Sequence, residues 1–219
     1  MNRFLALGDS YTVGEGVADG ERWPNQLARA LRSEGLALEN PEIVARTGWT
    51  TGELAAAMDL HVLQPPYALV TLLIGVNDQY RAGQPHNDAG EDYSTRTGRA
   101  LDTYRQEFRN LLERAIEQAG GGAQRVLVVS IPDWGITPFA HDSGRDRSTI
   151  ARELDAYNSV NAQIAAELRA RYADIAPIAR DGGGSADMLV GDGLHPSAAM
   201  YRRWLEVIAP QARAALATS

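Results

Sequence analysis

The chain of 219 residues contains no cysteine. That absence removes disulfides, thiolate metal sites and cysteine nucleophiles together. Long apolar runs are missing as well: no segment approaches the ~18 apolar residues a membrane span needs. The opening Met-Asn-Arg-Phe-Leu-Ala-Leu-Gly-Asp-Ser lacks the apolar stretch and small-residue cleavage site of a signal peptide. The expected location is therefore cytoplasmic, with no stable membrane insertion. Basic runs are equally scarce, and the densest pair, Arg202 and Arg203, falls in a predicted helix and reads as a solvated face. With a formal net charge of -7, the surface repels phosphate backbones, so no nucleic acid partner is expected. His61, His86 and His141 are scattered without metal-ligand spacing, so neither metal nor cofactor is expected. Gly182–Gly184 precedes no phosphate-loop pattern and reads as a flexible connector. The sequence carries no signal for oligomeric state.

What is present is an ordinary globular balance, 44% hydrophobic and 22% charged. The length suits a single domain over residues 1–219. Five short apolar, β-rich runs occur at 4–7, 42–45, 68–74, 125–131 and 174–178. Helical periodicity fills the intervals at 23–36, 54–62, 101–119, 150–172 and 198–215, with Pro210 a predicted kink or break in the last. Strand and helix alternate throughout, the pattern of an α/β fold with a parallel sheet covered by helices on both sides. Two polar stretches, 79–99 and 132–148, follow predicted strands and so emerge at the carboxyl edge of the sheet, where open α/β folds bind ligands. Each reads either as a lid or pocket wall or as a surface loop.

Four blocks carry residues suited to chemistry. Gly8-Asp9-Ser10-Tyr11 puts a serine on a strand-to-helix turn, where backbone N–H groups favour negative charge; Asp9 and Ser10 serve equally well as helix caps. Asp192-Gly193-Leu194-His195 places a carboxylate three residues before an imidazole. A tight turn can then fold Asp192 onto Nδ1 and leave Nε2 to take a serine proton, which a hydroxyl needs before it becomes a good nucleophile. The alternative is a helix start in which Asp192 and Ser197 are caps and His195 is incidental. Gly75-Val76-Asn77-Asp78 ends the third apolar run, where an Asn amide can face a developing oxyanion or simply form a turn. Arg46-Thr47-Gly48-Trp49 follows the second run, and its glycine can present a backbone N–H or merely turn the chain. Trp49, Tyr80, Trp134 and Phe139 fall just beyond predicted strand ends and read as pocket walls or as packing under loops. Asp9 reads as a brace for the turn, and Glu15 as a surface charge or a substrate contact.

In order and spacing these blocks resemble the SGNH hydrolases, the GDSL-type esterase/lipase family, from the first strand to the last helix. The family's namesake positions fall on Ser10, Gly48, Asn77 and His195. The resemblance implies a three-layer α/β/α, flavodoxin-like sandwich with a five-stranded parallel sheet. It also implies Ser10, Asp192 and His195 as catalytic residues, and an oxyanion hole from the N–H of Ser10 and Gly48 with the Asn77 amide. A small-molecule ester is the implied substrate; a thioesterase, lysophospholipase or acyltransferase would use the same residues. One departure is Tyr11, where the family usually has leucine, and it bears on the pocket rather than the relay. No Gly-x-Ser-x-Gly elbow surrounds Ser10, which weighs against the α/β-hydrolase fold.

Overall fold

The computed structural model describes residues 2–83 and 93–217. Strand β1 (Phe4–Gly8) runs into the single turn α1 (Ser10–Val13) and then α2 (Trp23–Ser33). Next come β2 (Glu42–Ala45), α3 (Thr51–Leu60), β3 (Leu69–Leu73), α4 (Val76–Ala82) and α5 (Tyr93–Gln118). The chain continues through β4 (Val126–Val129), α6 (Pro138–Asp142), α7 (Arg147–Glu167), β5 (Arg171–Ala173), α8 (Ala176–Arg180) and α9 (Ala198–Leu216). All five strands are parallel, in the order β2-β1-β3-β4-β5. Helices α2 and α9 pack together on one face, while α3, α5 and α7 cover the other. Three layers result, and the reversal of strand order at β1 and β3 opens a crevice at their carboxyl ends.

The apolar runs explain the sheet. Every residue of β1, β3 and β4 is buried, as strands covered on both faces require. Fully burying each Leu or Val side chain contributes about 1.5–3 kcal/mol relative to exposure. On α5, Tyr104, Phe108, Leu111, Leu112 and Ala115 form the expected stripe and are buried. Helix α3 starts three residues before its first apolar position because Thr50 and Glu53 form a reciprocal capping box.

Several boundaries differ from the sequence reading. The run at 174–178 is not a strand: the fifth strand is Arg171–Ala173, and Pro177 sits in the first turn of α8. Proline lacks the N–H that a paired strand needs, so it opens a helix instead. Accordingly α7 ends at Glu167 rather than continuing to Tyr172. Helix α9 passes through Pro210 without a break. Pro210 and Glu206 both face solvent, so water can satisfy the carbonyl that the proline leaves unbonded. The stretch 79–99 is not one long loop, since α4 takes its start and α5 its end; Pro85, His86, Asn87, Asp88 and Gly90 lie outside the described residues. The stretch 132–148 is ordered by a 3-10 turn at Trp134–Ile136 and by α6, whose N-cap Thr137 precedes Pro138. Among the described residues, no helix is long and apolar enough to cross a membrane.

Candidate active site

Strands β1 and β3 run side by side with Gly8 opposite Leu73. A Cβ on Gly8 would lie 2.2 Å from the Thr12 hydroxyl and 2.4 Å from the Leu73 carbonyl, so only glycine lets the chain turn at once into α1. Asp9 caps that turn by accepting the Tyr11 N–H at 3.0 Å, as expected of a brace. Its carboxyl is wholly buried, and Oδ2 has no hydrogen-bond partner among the described residues. Burial, opposed by the Tyr11 N–H and reinforced by the charge of Asp78, pushes Asp9 up to about 8. Ser10 follows, almost buried.

His195 is positioned from the opposite end of the chain. The backbone around it is tied to the preceding segment by Val190 N–H to the His195 carbonyl and Ser197 N–H to the Met188 carbonyl, both at 2.9 Å. Between these ties Asp192 folds back. Its Oδ1 accepts the N–H of Leu194 and of His195 at 2.8 and 2.9 Å, and its Oδ2 lies 2.6 Å from His195 Nδ1. Burial alone would raise the Asp192 carboxyl, but the His195 ring and the two N–H groups outweigh it and hold it below the ordinary value. Capping of α9 falls to Ser197, which accepts the Met200 N–H. Asp192 therefore serves the imidazole rather than the helix.

The segments that carry Gly48 and Asn77 are tied together. Gly48 has φ +87°, a left-handed conformation that side chains rarely adopt, although open space surrounds its missing Cβ. Glycine is needed there for its backbone rather than for room. Asn77 Nδ2 donates to the Trp49 carbonyl at 2.9 Å, which leaves the second amide hydrogen uncommitted to that bond. Gly75 precedes it at φ +123°, and a Cβ there would lie 2.3 Å from the Tyr104 hydroxyl.

Sequence reasoning missed how α4 clamps this segment. Arg81 donates to the Gly48 carbonyl at 2.7 Å and pairs with Glu53 at 3.1 Å. Thr51 N–H donates to Asp78 Oδ2 at 3.1 Å, and the Thr51 hydroxyl lies 2.7 Å from both Asp78 Oδ1 and Glu107 Oε2. The single Thr51 hydroxyl proton thus lies between two carboxyl groups. Burial raises Asp78 to about 6 against the pull of Thr51, with Glu107 adding to the rise. The only signal in the sequence was proximity: Asp78 and Arg81 lie one and four residues after Asn77.

Ser10, Gly48, Asn77 and His195 line one cavity of about 180 Å³. Tyr11, Tyr80, Trp134 and Phe139 share its wall, together with Thr47, Val76 and Leu194, which the sequence did not single out. Trp49 is not in that lining; its carbonyl accepts from Asn77, and the residue packs against the core. Tyr11 is buried beside the imidazole, with ring centroids 5.8 Å apart. Glu15 accepts a hydrogen bond from Thr47. His141 pairs with the adjacent Asp142 at 3.0 Å on the open surface, away from this cavity's lining. Among the described residues, no group of three His, Asp or Glu is placed to hold a metal ion. An oriented imidazole, a hydroxyl and N–H donors around one hollow suit acyl transfer.

The chain also resembles known proteins in sequence and in fold. The GDSL-like Lipase/Acylhydrolase family matches residues 6–203. No curated protein matches the chain. Among solved structures, TesA superposes with a TM-score of 0.70 at 22% identity, covering 98% of this chain and 99% of its own. A variant of an acetyl xylan esterase from Geobacillus stearothermophilus gives 0.69 at 19% identity, covering 96% and 94%. The psychrotrophic esterase EstA from Pseudoalteromonas, inhibited by monoethylphosphonate, gives 0.67 at 18% identity, covering 97% of each chain.

Proposed function

Since the chain belongs to the GDSL-like lipase/acylhydrolase family, we propose that it cleaves carboxylic acid esters by two acyl transfers through Ser10. In the first, Ser10 Oγ attacks the ester carbonyl carbon while His195 Nε2 takes the hydroxyl proton. Asp192 holds the ring by Nδ1 and steadies the imidazolium that forms. The tetrahedral oxyanion is met by the N–H of Ser10, the N–H of Gly48 and the free amide hydrogen of Asn77. Collapse of the intermediate breaks the bond to the alcohol, which leaves with the proton from His195. Water then attacks the acyl-enzyme, gives its proton to His195 and releases the acid, and Ser10 recovers its hydrogen.

The observation that carries this reading is the cavity lined at once by Ser10, Gly48, Asn77 and His195, with His195 Nδ1 already bonded to Asp192 at 2.6 Å. Four stretches far apart in sequence bring those groups to one hollow. The burial of Asp9 adds to it. Burial holds the Asp9 carboxyl well above its ordinary value, which disfavours a second negative charge directly beside the one developing next to Ser10. The experiment is hydrolysis of p-nitrophenyl acetate by the purified protein beside Ser10→Ala. A fall of three or more orders of magnitude is expected, and equal rates would end the proposal.

A further inference from the structure

The cavity is closed on one side by an aromatic cluster. Ring centroids of Tyr80 and Trp134 lie 5.6 Å apart, those of Trp134 and Phe139 6.0 Å, and those of Tyr80 and Phe139 6.4 Å. Each ring touches the other two. The indole at the centre is 2% exposed and cannot swing freely. Its Nε1 donates to Gln79 Oε1 at 2.9 Å, and Gln79 in turn donates to Glu153. Glu153 pairs with Arg145 at 2.7 Å, and the Arg145 guanidinium lies over the indole, 5.6 Å from its centroid. Displacing the ring would leave the buried Gln79 carbonyl without a donor.

Behind this wall lies a second hollow of about 20 Å³, lined mainly by apolar side chains such as Ile136, Leu189 and Met200. That volume holds about one water-sized sphere. Tyr11, Trp134 and Leu194 belong to the lining of both hollows and are therefore the partition between them. The main cavity, at about 180 Å³, falls below the roughly 300 Å³ at which pockets begin to enclose drug-sized ligands.

Resting on the ester-hydrolase reading, we propose that the substrates are esters of short acyl groups and that Trp134 sets the limit on chain length. An acyl chain reaching past the aromatic cluster meets an indole fixed by its own N–H, although apolar space exists just beyond. The test is kcat/KM for p-nitrophenyl acetate, butanoate and octanoate, read as the octanoate-to-acetate ratio so that a general loss of activity cancels. The wild type should favour acetate and butanoate strongly over octanoate. Trp134→Ala, which joins the hollows, should raise the ratio about fourfold for each methylene newly accommodated. Leu194→Ala thins the same partition with the Gln79–Glu153–Arg145 network intact, and should move the ratio the same way even if the indole variant folds poorly. Octanoate cleaved as readily as acetate by the wild type, or a ratio unmoved in the folded variants, overturns the inference. Absence of hydrolysis of all three esters by the wild type would instead sink the ester-hydrolase reading on which it rests.

Discussion

Replacing Asp9 with Asn should flatten part of the pH dependence of stability. The buried carboxyl moves from an ordinary 3.8 to about 8 on folding. Well below pH 3.8 both folded and unfolded chains hold this proton. Between these values the unfolded chain gives it up while the folded chain keeps it, so folding becomes less favourable as pH rises, levelling off above about 8. At about 1.4 kcal/mol per unit, Asp9 withdraws roughly 4 kcal/mol of stability between pH 4 and 7. Asp192, held below its ordinary value, acts in the opposite direction at acid pH. The informative quantity is therefore the difference between variant and wild type. Asn keeps the acceptor for the Tyr11 N–H and remains a good N-cap, so the fold should survive. Urea unfolding at pH 5, 6 and 7 should show the stability of Asp9→Asn gaining on the wild type by about 1.4 kcal/mol per unit. For a chain of this size each kcal/mol corresponds to roughly 2–4 °C in Tm. A difference that stays constant across that range would refute a protonated Asp9.

Three further outcomes follow from the site. Asn77→Ala should lower kcat by about 10²–10³, or 2.7–4 kcal/mol, with little change in KM; a kcat within threefold of wild type would remove Asn77 from the oxyanion hole. Asp192→Asn deprives the His195 ring of its carboxylate and should cost about 10⁴ in kcat near neutrality, by analogy with other serine triads; an unaffected rate would show that the imidazole needs no such partner. Gly75→Ala forces a methyl to 2.3 Å from the Tyr104 hydroxyl and should destabilise by about 1–3 kcal/mol. Adding Tyr104→Phe should recover part of that loss in thermal melts, and no recovery would place the strain elsewhere.

The central layer was legible because β1, β3 and β4 are buried on both faces and read as continuous apolar runs. The edge was not. β5 has only three residues, two of them partly exposed, and the more apolar segment beyond it reads as the strand from its composition, although Pro177 argues against pairing. The four blocks that line the cavity stand out in the sequence because each combines a reactive or flexible residue with a turn after a strand or before the last helix. What joins them was hidden: the bond from Asn77 to the Trp49 carbonyl, the Arg81 contact with Gly48 and the sharing of Thr51 by Asp78 and Glu107 cross gaps of 27 to 56 residues. No local pattern encodes such contacts. Trp49 illustrates the same limit: it follows β2, and what it packs against is set by tertiary contacts.

The most direct measurement is covalent trapping with a p-nitrophenyl alkylphosphonate, followed by mass spectrometry of the digested protein. One p-nitrophenolate released per chain, one adduct on the peptide carrying Ser10 and a parallel loss of esterase activity are predicted. An adduct on any other residue, or activity that persists once Ser10 is fully modified, would contradict the account.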